Sequence, residues 1–218
     1  MLFNKLRKIL RFSYMLLKYD TSIEEWFNFS TNSVISIKAK LMGSYNISFS
    51  TIGDYTYIAQ KAHISYATIG KYCSIGPNFL CGWGIHPING ISTSPMFYST
   101  AKQNGFSFCN ITKVEERKRI IIENDVFIGA NVTVLDGVRI GNGAVIGAGA
   151  TVSKDIPPYA VAVGSPIRII KYRFSEPIIH KLERCEWWNK DDSVLPSIEK
   201  NFFDVESFLD EIDNLDER

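Results

Sequence analysis

The sequence predicts a mainly β chain, folded as a parallel β-helix of stacked coils, with a long loop leaving it midway and a helical tail behind it. Three observations predict this. Ile122, Ile128, Val134, Ile140, Ile146 and Val152 follow one another at intervals of six without a gap. A second array runs upstream: Ile52, Ile58 and Ile64 are six apart, and Ile69 and Ile75 resume after a five-residue step. Between the two lies a break from about Leu80 to Lys118, far longer than an ordinary connection.

The period decides the element. In a helix, a spacing of six would carry the apolar residue around the whole surface. Antiparallel strands would alternate by two, with hairpin turns between them. A six-residue unit of short strand plus bend satisfies the pattern. Three units then close a triangular coil of about eighteen residues, and coils stack about 4.8 Å apart through parallel pairing. The lead aliphatic is expected to point into the prism. The residue four further on (Val126, Val132, Val138, Ala144, Ala150, Ile156) is expected near a corner where space is tight. Gly53, Gly70, Gly76, Gly129, Gly141 and Gly147 directly follow lead positions, and their conformational freedom is expected to serve the bends. Val34 to Ile47 is expected to hold degenerate earlier turns. Several coils are required, because each buries its core only against its neighbours.

The ends are read separately: an N-terminal extension over residues 1–32, the β-helix over 33–172 with its excursion at about 80–118, and a helical tail over 173–218. Residues 1–19 carry Lys5, Arg7, Lys8, Arg11 and Lys18 among Leu, Ile, Phe and Met. The uncharged run Phe12 to Leu17 is too short for a secretory or transmembrane segment. A basic amphipathic helix remains. It either packs on the body of the protein, the simpler reading, or makes weak contact with an anionic membrane surface. Asp204 to Arg218 reads as an acidic, solvated helix that frays at its end.

Bulk composition narrows the function. Hydrophobic residues make up 45% of the 218, enough for a real core, and 24 basic against 23 acidic residues argue against a nucleic-acid partner. Cys73, Cys81, Cys109 and Cys185 form no close pair and read as reduced thiols, fitting a cytoplasmic protein. The histidines, His63, His86 and His180, lie too far apart in sequence for a close ligand pair, so no metal is expected.

The units Ile128-Gly129-Ala130-Asn131-Val132 and Ile146-Gly147-Ala148-Gly149-Ala150 resemble the hexapeptide repeats of bacterial acyltransferases. The run Val152 to Tyr159, followed by Gly164-Ser165-Pro166-Ile167-Arg168, is similar to that superfamily's closing signature. Within the excursion, Trp83-Gly84-Ile85-His86-Pro87 and Ser92 to Tyr98 resemble the xenobiotic acetyltransferase branch, which includes chloramphenicol and streptogramin acetyltransferases, and related capsule and O-antigen O-acetyltransferases. The likeness covers roughly residues 33–190.

The resemblance implies a left-handed β-helix, an exception to the usual crossover hand. It also implies a homotrimer and acetyl transfer from acetyl-CoA to a small hydroxylated acceptor, a sugar in surface-polysaccharide assembly. His86 takes the position of the family's general base. Ala130 and Ala148 would offer backbone N–H groups to the pantetheine arm, Ser153 and Lys154 would lie further along it, and Arg168 with Lys171 would approach the nucleotide phosphates. Phe127 stands where the family often has Trp, which removes an indole donor. Trp187 and Trp188 belong to the helical tail of such proteins, so packing is expected of them. The scattered histidines argue against the zinc-dependent γ-class carbonic anhydrases, which share the β-helix.

Three other functions stay open: acetylation of an antibiotic, N-acetylation of a nucleotide-linked amino sugar, and a non-catalytic binding scaffold. A pure scaffold has no need of a histidine in a long interruption of its stack.

Overall fold

The computed structural model describes residues 28–216 together with Leu10, Ser13 and Tyr14, so the expected amphipathic segment 1–19 falls almost wholly outside the described residues. From Phe29 onward the chain winds as a parallel β-helix with three faces. The first face stacks Phe29–Thr31, Asn46–Ser48, His63–Ser65, Leu80–Cys81, Thr133–Val134 and Thr151–Val152. The second stacks Val34–Ile35, Thr51–Ile52, Ala67–Ile69, Ile120–Ile122 and Arg139–Ile140, with Ile156 bridging to Ile140 beyond them. The third runs from Lys40–Leu41 through Tyr57–Ile58, Ser74–Ile75, Phe127–Ile128 and Val145–Ile146 to Ala160–Val163. It closes with Arg168–Tyr172, its one antiparallel strand. The coils begin four residues before the expected boundary at 33. Phe29, Ser30 and Thr31 are exposed, so no buried apolar residue announces that first strand.

Every lead aliphatic is inside. Ile52, Ile58, Ile64, Ile69, Ile75, Ile122, Ile128, Val134, Ile140, Ile146 and Val152 form one continuous buried column with the smaller residues four further on. Removing an isoleucine side chain from such a core costs about 2–5 kcal/mol. Equivalent positions before the excursion are 17 apart, as in Ser48 over Ser65, and after it 18 apart, as in Asn124 over Asn142. The shorter coils omit a residue between the first and second faces, at Phe49 and Tyr66, both of which adopt left-handed backbone. That is the edge where the excursion departs. The stack itself has no gap there, because Cys81 pairs with Val134, Ile69 with Ile122 and Ile75 with Ile128.

The glycines after the lead positions are needed for a different reason from the one expected. None of them has a positive φ. A Cβ on Gly129 would lie 2.6 Å from the amide nitrogen of Ala148, and one on Gly76 2.8 Å from that of Ala130. These glycines let one coil approach the next. The left-handed bends fall elsewhere, at Tyr55, Tyr72, Asp125, Asn131 and Gly149 among others.

The tail folds back along the edge between the second and third faces. Helix α1, Glu176–Cys185, is followed by α2, Leu195–Lys200, and α3, Val205–Asp216. Arg173 pairs with Asp125 at 3.0 Å, and Asn142 donates to Glu183 at 3.0 Å. Further down, Lys71 Nζ donates to the Trp188 carbonyl at 3.1 Å, and Tyr55 Oη to Asp192 at 2.7 Å. Trp188 is buried and Trp187 lies against Tyr72, so the tryptophan pair packs as expected. Helix α3 is not simply solvated: Phe208, Leu209 and Ile212 are buried against Leu182, Val194 and Tyr159. Its acids hid an apolar stripe at helical spacing.

Candidate active site

The excursion leaves the first face at Gly82, where a Cβ would lie 2.1 Å from the Ser65 carbonyl oxygen and φ is +70°. Its incoming and outgoing chains form a neck, with the Ile85 N–H donating to the Glu116 carbonyl at 2.8 Å. His86 is the first residue beyond the neck, and it is exposed. Its Nδ1 lies 2.9 Å from the Thr93 carbonyl oxygen and 2.8 Å from Tyr98 Oη. The Thr93 carbonyl can only accept, so this contact is a hydrogen bond in the tautomer that carries its proton on Nδ1. The ring is held through Nδ1, and among the described residues no hydrogen bond within the chain claims Nε2.

Tyr98 is buried behind the histidine, and its ring meets the imidazole edge-on. Burial, then the nearby Glu116 carboxylate, push its phenol above the ordinary value, so it stays protonated. Glu116 in turn accepts from Ser99 Oγ at 2.7 Å and Gln103 Nε2 at 2.7 Å, bracing the loop. Against Tyr98 and Pro87 lies a cleft of 420 Å³, walled largely by Ile91, Phe97 and Val114 with Lys113 at its side. The rest of the loop shows large apolar side chains to solvent, among them Ile88, Ile91, Phe106, Phe108 and Ile111.

The residues expected to hold the cofactor all lie on the outside of the last coils, but on different edges. Ala130 and Ala148 sit one above the other between the third and first faces, and the Gly149 N–H donates to the Ala130 carbonyl at 2.8 Å. Among the described residues, neither the Ala130 nor the Ala148 N–H has an acceptor within the chain. Arg168 lies opposite Val163, at the end of the third face that adjoins this edge. Lys171 lies opposite Val161, towards the far end of the same strand. Directly opposed residues share a face of the sheet, so both cations stand outward with Val161 and Val163 while Ala160 and Ala162 face the core. Ser153 and Lys154 are exposed on the next edge, one coil beyond the base of the neck. Phe127, half-exposed, lies on the third face between Ser74 and Val145. None of these residues lines the cleft beside Tyr98.

The other histidines stand apart. His63 is exposed in a strand, not at a corner, with its ring 6.0 Å from that of Trp83. His180 is exposed on α1, 3.7 Å from Glu176. Among the described residues no three His, Cys, Asp or Glu side chains gather closely enough to hold a metal ion. Cys73 and Cys81 are buried, and burial pushes the Cys73 thiol up to about 12 and that of Cys81 higher still. Neither is available as a thiolate nucleophile.

Two features at the site escaped sequence reasoning. Thr93 contributes a backbone carbonyl, for which no side-chain signal exists. Asp136 lies in the dipeptide Asp136-Gly137, which reads as an ordinary turn, yet its carboxylate is nearly fully buried beneath the neck.

Residues 119–154 match the family described as bacterial transferase hexapeptide (six repeats). A protein named "Probable macrolide acetyltransferase" from Lysinibacillus sphaericus is 37% identical over 141 residues, covering 62% of this chain and 73% of that protein. A chloramphenicol acetyltransferase of Klebsiella aerogenes is 38% identical over 124 residues, covering 56% of this chain and 58% of its own length. Among solved structures, the hexapeptide-repeat containing acetyltransferase of Vibrio cholerae O1 biovar eltor, complexed with acetyl coenzyme A, aligns at 24% identity and a TM-score of 0.49. That alignment covers 75% of this chain and 85% of the other. The coils are those that the repeat family describes, and the first of these relatives matches over nearly three quarters of its length; the chain belongs to the hexapeptide-repeat acetyltransferases.

Proposed function

We propose that the chain transfers an acetyl group from acetyl-CoA to a hydroxyl of a sugar, in the assembly of a surface polysaccharide in the cytoplasm. The observation that carries this reading is the imidazole of His86, whose Nδ1 is tied to Thr93 and Tyr98 and whose Nε2 is left free. Nε2 takes the proton as the acceptor oxygen attacks the thioester carbonyl carbon. The tetrahedral oxyanion collapses, the carbon–sulfur bond breaks, and the CoA thiolate recovers the proton from His86. No acetyl-enzyme is involved, in keeping with the buried thiols of Cys73 and Cys81. The unpaired N–H groups of Ala130 and Ala148 suit the amide carbonyls of a pantetheine arm, and Ser153, Lys154, Arg168 and Lys171 extend that track over the outer surface.

A second reading, acetylation of an antibiotic, draws on the relatives named for macrolides and chloramphenicol and on the apolar walls of the cleft beside Tyr98. Purified chain supplied with acetyl-CoA and a panel of sugars, nucleotide sugars, chloramphenicol and macrolides separates the two. Transfer to a sugar hydroxyl is expected; preferential transfer to an antibiotic would install the second reading, and transfer to an amino group would exclude both. The absence of transfer to any acceptor would favour the binding scaffold.

The assembly we propose is a homotrimer with the site between subunits. The cofactor track lies on open prism surface, and a neighbouring prism capped by the excursion would enclose it. The exposed apolar side chains of the loop suit such a contact. Sedimentation should give a particle of about three times the 24.7 kDa chain mass, and a fully active monomer would end this proposal.

A further inference from the structure

Asp136 holds both sides of the neck from below. Its side chain is 3% exposed. It accepts from the Gly84 N–H at 2.9 Å on the incoming chain and from the Lys118 N–H at 3.3 Å on the outgoing one. Arg117 Nε lies 3.5 Å from the same carboxylate, and its Nη2 donates to Ser65 Oγ at 2.6 Å and to the Gly82 carbonyl at 2.9 Å. Gly84 has φ +95° and a would-be Cβ 3.2 Å from the Glu116 carbonyl oxygen, so the neck closes without spare room. Two residues on stands His86.

We infer that Asp136 is a positioning residue for acetyl transfer, acting through His86 by fixing the neck from which the imidazole projects. The inference rests on the reading of His86 as the base. Removing the carboxylate strips the Gly84 N–H of its acceptor and leaves the Arg117 guanidinium without its buried counter-charge. The neck then relaxes, and a displacement of about 1 Å at a reacting group can cost about a hundredfold in rate. The histidine would keep its chemistry and lose its place.

The test compares Asp136→Ala, Asp136→Asn, His86→Ala and the Asp136→Ala/His86→Ala double variant of the full chain. The readouts are kcat, both KM values and amide hydrogen exchange. Asp136→Ala should lower kcat about 10- to 100-fold with KM for acetyl-CoA nearly unchanged. Asp136→Asn should fall between, because its amide oxygen still accepts from Gly84. Exchange should quicken at Gly84 and Ile85 and stay slow in coil amides such as that of Ile128. The double variant should be no slower than His86→Ala alone, since a residue that works only through the imidazole has nothing left to position. A normal kcat in Asp136→Ala overturns the inference, as does a double variant slower than His86→Ala. Faster exchange throughout the coils would reduce Asp136 to general stability and overturn it too. If Asp136→Ala fails to fold, Asp136→Asn carries the same comparison. High activity in His86→Ala would instead strike the underlying reading of the base, which separates the two failures.

Discussion

His86→Ala is expected to lower kcat by about 10² to 10⁴, the usual cost of losing a general base, with coenzyme A affinity and the melting temperature unchanged. The upper part of that range applies, because an alcohol at neutral pH is a poor nucleophile until its proton is taken. Stability should not suffer: His86 is exposed, and its two contacts are to groups of the same loop, the Thr93 carbonyl and the Tyr98 hydroxyl. If the histidine merely braced the loop, its removal would raise acceptor KM more than it lowered kcat. Steady-state kinetics with both substrates, alongside a titration of coenzyme A, distinguish these outcomes. A variant retaining more than about a tenth of wild-type kcat would exclude His86 as the base.

The second large effect is expected at the cofactor track. Neutralising Lys154 and Arg168 together should raise KM for acetyl-CoA about tenfold or more and leave acceptor KM nearly unchanged, because each exposed charge contact to phosphate is worth up to about 1 kcal/mol. Both side chains are exposed, and no ion pair within the chain claims either of them among the described residues. Raising the salt concentration should reproduce part of the loss in the wild type and little of it in the double variant. Equal changes in both KM values, or none, would return Lys154 and Arg168 to ordinary solvated surface.

The coils were legible because burial obeys a simple period. An aliphatic residue every six positions leaves one interpretation once helix and hairpin are excluded, and Ile122 to Val152 are all inside. What local pattern could not convey was the reason for some residues. Gly129 and Gly147 looked like bend glycines, whereas their function is to admit the next coil, a contact with residues some sixteen to nineteen positions away. The left-handed bends fall partly on Tyr55, Tyr66 and Tyr72, residue types whose side chains disfavour that backbone, so propensity pointed away from them. Phe29–Thr31 went unread because an end strand with exposed side chains has no burial pattern to betray it. At the candidate site, the motif around His86 put the imidazole on the excursion, where it lies. Its setting could not be read, since it depends on the Thr93 backbone and on Asp136, fifty positions further along the chain.

The tail's path has a consequence for how the molecule comes apart. A stack of repeats held only by neighbouring contacts can fray coil by coil from either end, as in a one-dimensional chain of weakly coupled units. A 38-residue interruption would ordinarily invite a break into two blocks. Here Arg173 and Glu183 grip coils that follow the interruption, while Trp188, Asn189 and Asp192 grip coils that precede it. The two blocks are thereby joined by a strap as well as by their shared strands, and neither can loosen without straining the other. Such coupling between distant repeats makes melting more nearly all-or-none, and it leaves the interrupting loop free to vary in length and chemistry while the scaffold beneath it stays whole.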